Sequence, residues 1–180
     1  MPRVPVHTLD DVPEQTRPTL ETLSKKTGKL LNIHGLMAHS PVVLATYAAM
    51  QEAIASHGTF DGKTREAITL AVGAADNCDY CQSAHTLGGK AAGLEADIMS
   101  AVRAGRPTGD DRLDTLLAVV REATLDVGAV QDGTWKQAQA AGWSDEELTE
   151  AFAHIGANLY TNYFNHYVGT ELDVPQAPAV

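Results

Sequence analysis

Residues 61–93 read DGKTREAITLAVGAADNCDYCQSAHTLGGKAAG. Asp61 is an N-cap, and behind it Ile68, Val72 and Ala75 follow one helical stripe, which predicts a helix running to about Ala75. Asp76 and Asn77 then interrupt the pattern and offer a fresh cap. A second helix is expected from Cys78 to Ala92, with Gly93 placed where a helix exits left-handed and apolar Leu94 behind it.

Working outward, the same grammar of caps and stops recurs. Ser40 before Pro41 is an N-cap followed by a first-turn proline, opening a helix from about Pro41 to His57 that Gly58 ends. Asp110 to Asp126 carries Leu113, Leu116, Leu117, Val120 and Leu125 at helical spacing, and Asp132 to Ala141 is a shorter helix. Gly142 repeats the stop at Gly93, and Ser144 opens the last long helix with Glu147 as its capping-box partner, continuing to about Val168. No stretch shows the sustained period-two alternation of a half-buried strand. The fold class is therefore all-α, a single helical domain of roughly eight helices. Residues 1–31 form an N-terminal arm and first helix, 32–172 the helical domain, and 173–180 an extended C-terminal tail.

A chain of 180 residues can bury a sizeable core in one domain. Its 13 Lys and Arg against 23 Asp and Glu give a formal charge of -10, which repels phosphate backbones and anionic lipid. Nucleic acid and membrane are accordingly not expected as partners. The proline-punctuated ends do not resemble signal or transit peptides, and no uninterrupted apolar run reaches the ~20 residues of a membrane-spanning helix. A cytoplasmic location follows as the expectation.

The chain has two cysteines, Cys78 and Cys81, with His85 four residues further on and Glu66 twelve residues before Cys78. Residues three and four apart share a helix face, so Cys78 meets Cys81 and Cys81 meets His85. A disulfide across a two-residue gap constrains little chain entropy, so the pair reads as a reversible thiol couple rather than a structural bridge. Its position at a helix start favours Cys78 as the attacking thiol, through the unpaired N–H groups and helix dipole there. The imidazole one turn beyond favours Cys81, because His85 can take its proton. We assign attack to Cys81 and resolution to Cys78. On an unbroken helix Glu66 would lie about 120° around from Cys78, so its participation requires the chain to fold back at Asp76 and Asn77. It would then orient His85 and stabilise its protonated form.

Arg65 and Glu66, followed by Asn77, Cys78, Asp79, Tyr80, Cys81, Gln82, Ser83, Ala84 and His85, resemble the core of the carboxymuconolactone decarboxylase-like superfamily, specifically its alkyl hydroperoxidase D-like branch. The similarity extends through Asn32, His39, Ser40 and Pro41 upstream and Gly93, Gly142 and Asn162 downstream, covering roughly 32–168. It implies an all-helical homo-oligomer, a trimer or hexamer. It also implies a thiol-dependent, peroxiredoxin-type antioxidant oxidoreductase in which Glu66, Cys78, Cys81 and His85 form a proton relay and a peroxide-reducing dithiol, with the second cysteine peroxidatic. The partners would be a hydroperoxide substrate and an external dithiol reductant of lipoyl or thioredoxin type, with no flavin, haem or metal cofactor. Alkyl hydroperoxidase D carries a further histidine between its cysteines, where this chain has Tyr80.

Rival readings keep the residues and change the chemistry. One is a cofactor-free lactone decarboxylase-type lyase, which has no need of a dithiol. Another is a non-enzymatic redox switch or zinc-binding module, for which the cysteines and His85 supply three of the four ligands that a structural zinc site uses. Tyr80 reads as core or interface, and His34, His39 and His57 as surface or capping residues. Along the last helix Leu148, Phe152, Ile155, Leu159, Asn162 and His166 form a heptad-like stripe whose two polar members read as a buried pair or an oligomer contact. Tyr160, Tyr163, Phe164 and Tyr167 beside it mark the expected subunit interface.

Overall fold

In a computed structural model covering Met1–Val180, regular structure consists of nine helices and no strand. They are α1 (Arg17–Thr27), α2 (Asn32–Met37), α3 (Pro41–His57), α4 (Gly62–Ala75), α5 (Asp79–Ala91), α6 (Ala96–Arg103), α7 (Asp111–Leu125), α8 (Asp132–Ala140) and α9 (Asp145–Val168). The caps do what their sequences ask. Ser40 accepts from Val43 N–H, Asp61 from Thr64 N–H and Asp110 from Leu113 N–H, while Ser144 and Glu147 close a reciprocal capping box. Gly93 and Gly142 adopt φ of 81° and 94°. At each, the next amide reaches back to close the helix, Leu94 N–H to Gly89 O and Trp143 N–H to Ala138 O, the Schellman arrangement that satisfies orphaned carbonyls.

α4 is the central post, packed by α5, α6, α7 and α9. Seven consecutive residues, Ala67 to Gly73, are buried, so α4 is covered on all sides rather than along the single stripe that Ile68, Val72 and Ala75 predict. The larger core joins Ile68, Leu70 and Val72 of α4 to Leu116, Leu117 and Val120 of α7 and to Leu148 and Ile155 of α9. A second core contains both cysteines and Tyr80, closed over by Val12, Leu20, Leu23, Ile33, Met37 and Leu44. The N-terminal segment before Arg17 is non-helical, yet it is no free arm: Val12 is buried beside the cysteine half of the molecule.

The C-terminal tail carries no helix and lies against the start of α5 and its surroundings. Tyr80 Oη donates to Asp173 Oδ1 at 2.8 Å, Ala177 N–H donates to Ser83 Oγ at 3.1 Å, and Arg103 Nη1 donates to Pro178 O at 2.7 Å. No helix is long and apolar enough to cross a membrane.

Two expectations are corrected. His34 is neither surface nor cap: it is 2 % exposed, with Nε2 3.5 Å from Tyr47 Oη and no partner for Nδ1. It lies on α2, a helix too short to show a period from which its burial is legible. The α9 stripe also runs in a different register. Phe152 is 71 % exposed and His166 is exposed, whereas Leu148, Ala151, Ile155, Asn158, Asn162 and Asn165 are buried. Both registers alternate steps of three and four. The one beginning with a step of four collects the larger apolar side chains, and the one beginning with three faces the core.

Candidate active site

The chain reverses between α4 and α5 within three residues. Asp76 caps α4, Asn77 takes the left-handed conformation at φ 53°, and Cys78 is the N-cap of α5, one residue outside the helix expected to begin there. Asn is among the few residues that occupy this region at low cost. The result is an antiparallel hairpin in which position 73 faces 81 and position 66 faces 88: a Cβ on Gly73 would sit 3.4 Å from that of Cys81, and one on Gly88 would sit 2.8 Å from each carboxylate oxygen of Glu66. Glu66, misplaced for Cys78 on an unbroken helix, is thereby delivered to the third turn of α5.

There it meets His85. Glu66 Oε2 lies 2.9 Å from His85 Nδ1, with the two side chains 24 % and 33 % exposed. A carboxylate is acceptor only, so Nδ1 is the donor and the lone pair of the neutral ring sits on Nε2, the atom with no protein partner. The imidazole is thus oriented as a base.

Cys78 and Cys81 are joined in a disulfide, with Cα atoms 5.3 Å apart and residues 1 % and 3 % exposed. As N-cap, Cys78 Sγ accepts from Cys81 N–H at 3.3 Å, the sulfur counterpart of a serine cap. Cys81 Sγ accepts from Asn165 Nδ2 at 3.2 Å, and the same amide lies 3.9 Å from Cys78 Sγ. One turn back on α9, Asn162 Nδ2 donates to Asp76 Oδ2 at 3.0 Å and ties the helix to the α4–α5 reversal.

Glu66 and His85 open onto a cavity of about 310 Å³ between α3, α4, α5 and α9, whose wall also includes Tyr47, Arg65, His154 and Asn158. Neither cysteine is part of that wall. Its α9 side is rigidly held: Asn158 Nδ2 donates to Thr69 Oγ1 at 3.1 Å, and His154 Nε2 lies 3.0 Å from Glu150 Oε1. Burial pushes the Glu150 carboxyl up, but hydrogen bonds from Thr59, His154 and Phe60 N–H together outweigh it and hold Glu150 below the ordinary carboxylate range. Burial alone pushes the Tyr47 phenol up to about 12, so it stays protonated as a donor at neutral pH.

Tyr80, between the cysteines, is directed to the tail and not to Glu66 or His85. Burial, then its hydrogen bond to Asp173, drives its phenol far above the ordinary value. Asp173 also accepts from Asn32 N–H at 3.2 Å and pairs with Lys29 at 3.4 Å. No three His, Cys, Asp or Glu side chains converge as a metal-ligating set.

All four residues singled out from the sequence therefore lie on one hairpin, with Glu66 and His85 in contact and Cys78 bonded to Cys81. The residue that sequence reasoning missed is Asn165. Its signal was the row Asn158, Asn162, Asn165 at spacings of four and three, three amides on one face of a helix.

No curated protein sequence matches the chain. Residues 41–122 match the Carboxymuconolactone decarboxylase family. Among solved structures, a peroxidase-related protein from Ralstonia eutropha JMP134, described as an alkylhydroperoxidase AhpD core, superposes with a TM-score of 0.83 at 21 % identity, covering 96 % of this chain and 92 % of its own. A peroxidase-related protein from Silicibacter sp. TM1040 gives 0.78 at 18 % identity, covering 94 % and 91 %. The debrominase Bmp8, in complex with 2,3,4-tribromopyrrole, gives 0.80 at 15 % identity, covering 95 % and 91 %. Residues 41–122 are thus similar to the carboxymuconolactone decarboxylase family, and over nearly its whole length the chain has the fold of the alkylhydroperoxidase AhpD core structure.

Proposed function

We propose that this protein is a thiol-dependent peroxidase-like oxidoreductase. The observation that carries the reading is the Cys78–Cys81 disulfide at the start of the helix whose next turn presents His85, oriented by Glu66. In the reduced enzyme His85 takes the Cys81 proton. The thiolate attacks the terminal oxygen of a hydroperoxide, the O–O bond breaks, and the departing alkoxide recovers a proton from His85 as an alcohol, leaving Cys81 as a sulfenic acid. Cys78 then attacks the Cys81 sulfur, expelling water and forming the disulfide. An external dithiol of lipoyl or thioredoxin type reduces it in two exchange steps and leaves as its own disulfide. The cavity beside His85 is the substrate's entry.

Peroxide consumption driven by a lipoyl or thioredoxin dithiol tests the reading. Wild type turns over, Cys81→Ser does not, and one equivalent of peroxide removes two titratable thiols. Undiminished turnover in Cys81→Ser, or two thiols that survive peroxide, would refute it.

The likeness to a debrominase supplies a second reading of the same dithiol: reduction of a carbon–halogen bond, with the halogen leaving as halide, hydrogen taking its place and the pair oxidised to the disulfide. Bromide release from tribromopyrrole by the reduced protein, without peroxide turnover, selects it.

We also assign a second copy of the chain to the outer face of α9. Phe152, Tyr163 and Tyr167 are 71 %, 58 % and 72 % exposed there, and Val42 of α3 is 74 % exposed. A monomer by light scattering removes that assignment.

A further inference from the structure

Both sulfurs are buried, and burial by itself disfavours a thiolate. The carboxylates on the elements around them, Glu66, Asp76 and Asp79 on α4, the reversal and α5, and Asp173 in the tail, disfavour it further. The neutral-to-cationic groups nearby are His85, already engaged by Glu66, and His34, which burial holds unprotonated. The phenols of Tyr47 and Tyr80 are likewise kept neutral by burial. Neither sulfur has a lysine or arginine within hydrogen-bond distance. What each sulfur has is a dipolar donor, and the two donors differ: the backbone N–H of Cys81 for Cys78, and the side-chain amide of Asn165 for Cys81.

We infer that Asn165 is a catalytic residue of the dithiol, the hydrogen-bond donor that stabilises the Cys81 thiolate and favours the reduced state of the pair. The inference rests on the proposed dithiol chemistry only for its consequence in turnover. A disulfide sulfur is a weak acceptor, whereas a thiolate is a charged one, and hydrogen bonds to charged groups are about twice as strong as neutral ones. Reduction adds two electrons to the S–S bond and two protons. When Cys81 gives up its proton to His85, the negative charge appears on the atom 3.2 Å from Asn165 Nδ2.

The amide is built to stay there. Asn165 is 5 % exposed, and its carbonyl accepts from Gly169 N–H and Thr170 N–H at 2.9 and 3.0 Å, locking the end of α9. Asn162, one turn earlier, anchors the same helix to Asp76. The Asn165 Oδ1 is buried without a donor, so the side chain is engaged at the sulfurs through its nitrogen alone.

Two thermodynamic readouts, neither involving peroxide, test this. In a Cys78→Ser background, the rate of iodoacetamide alkylation against pH reports the Cys81 thiol. Asn165→Ala shifts its midpoint up by about one pH unit, and Asn165→Asp, isosteric but without the donor once ionised, shifts it at least as far. With both cysteines present, equilibration against glutathione buffers shows Asn165→Ala favouring the disulfide about tenfold, a potential about 30 mV lower. Coincident alkylation profiles and equal potentials would overturn the inference. If the variants do not fold, the side-chain amide resonances of Asn165 in the wild-type protein decide: they move on reduction and again with thiol titration, and immobility in both overturns it. A wild type that consumes no peroxide refutes the peroxidase reading and leaves these shifts untouched.

Discussion

Glu66 on α4 and His85 on α5 meet across an antiparallel hairpin, carboxylate Oε2 to imidazole Nδ1 at 2.9 Å. Nineteen residues separate them in the chain. The contact exists because Asn77 accepts a left-handed conformation and turns the backbone through a reversal.

Glu66→Gln keeps the side-chain volume but removes the negative charge that stabilises an imidazolium at His85. Peroxide turnover is expected to fall about 100-fold with KM for peroxide little changed, since general acid–base assistance is worth roughly 10²–10⁴. Steady-state kinetics check it, and a turnover within a factor of two of wild type would remove Glu66 from the relay.

Gly88→Ala separates stability from activity. Alanine is a better helix former than glycine by about 1 kcal/mol, so the thermal midpoint should hold or rise. The new Cβ, 2.8 Å from both oxygens of Glu66, displaces that flexible side chain and breaks its contact with His85. Activity therefore falls as in Glu66→Gln in a protein that is no less stable. Calorimetry beside kinetics tests the pair of signs.

His34 makes the fold acid-sensitive. Burial depresses its pKa from the ordinary 6.5 to about 4, against a smaller opposing pull from Asp173. The unfolded chain binds a proton that the folded chain refuses. Stability is complete above pH 6.5 and declines as pH falls towards 4, by roughly 3 kcal/mol in all. His34→Phe should flatten urea midpoints between pH 7 and 4.5 relative to wild type; parallel profiles would exclude His34 as the source.

Val127 is a β-branched residue at φ 55°, 98 % exposed. The left-handed region costs such a residue roughly 1–2 kcal/mol, and Asn far less. Val127→Asn is expected to stabilise by about 1 kcal/mol in urea titration, with turnover unaltered because Val127 belongs neither to the wall of the cavity beside His85 nor to the core around the cysteines.

The sequence by itself determined the helices and which of them carry or are capped by Glu66, Cys78, Cys81 and His85. Ser40, Asp61, Ser144, Gly93 and Gly142 act through hydrogen bonds within a few residues, so their meaning is local and their helices lie where expected. Cys78, Cys81 and His85 were legible for the same reason, through spacing on a single helix. Glu66 was legible only conditionally, on a reversal whose geometry Asp76 and Asn77 suggested but did not dictate. Tertiary structure alone decided what depends on distant segments. It chose the α9 register that buries Asn158, Asn162 and Asn165 in place of Phe152 and His166, because the facing hairpin had polar groups to satisfy there. It buried His34, drew Val12 over the cysteines and bound Tyr80 to Asp173, 93 residues away. Apolar periodicity identifies the face with the greasiest side chains; hydrogen-bond demand from another part of the chain identified the face that carries Asn165.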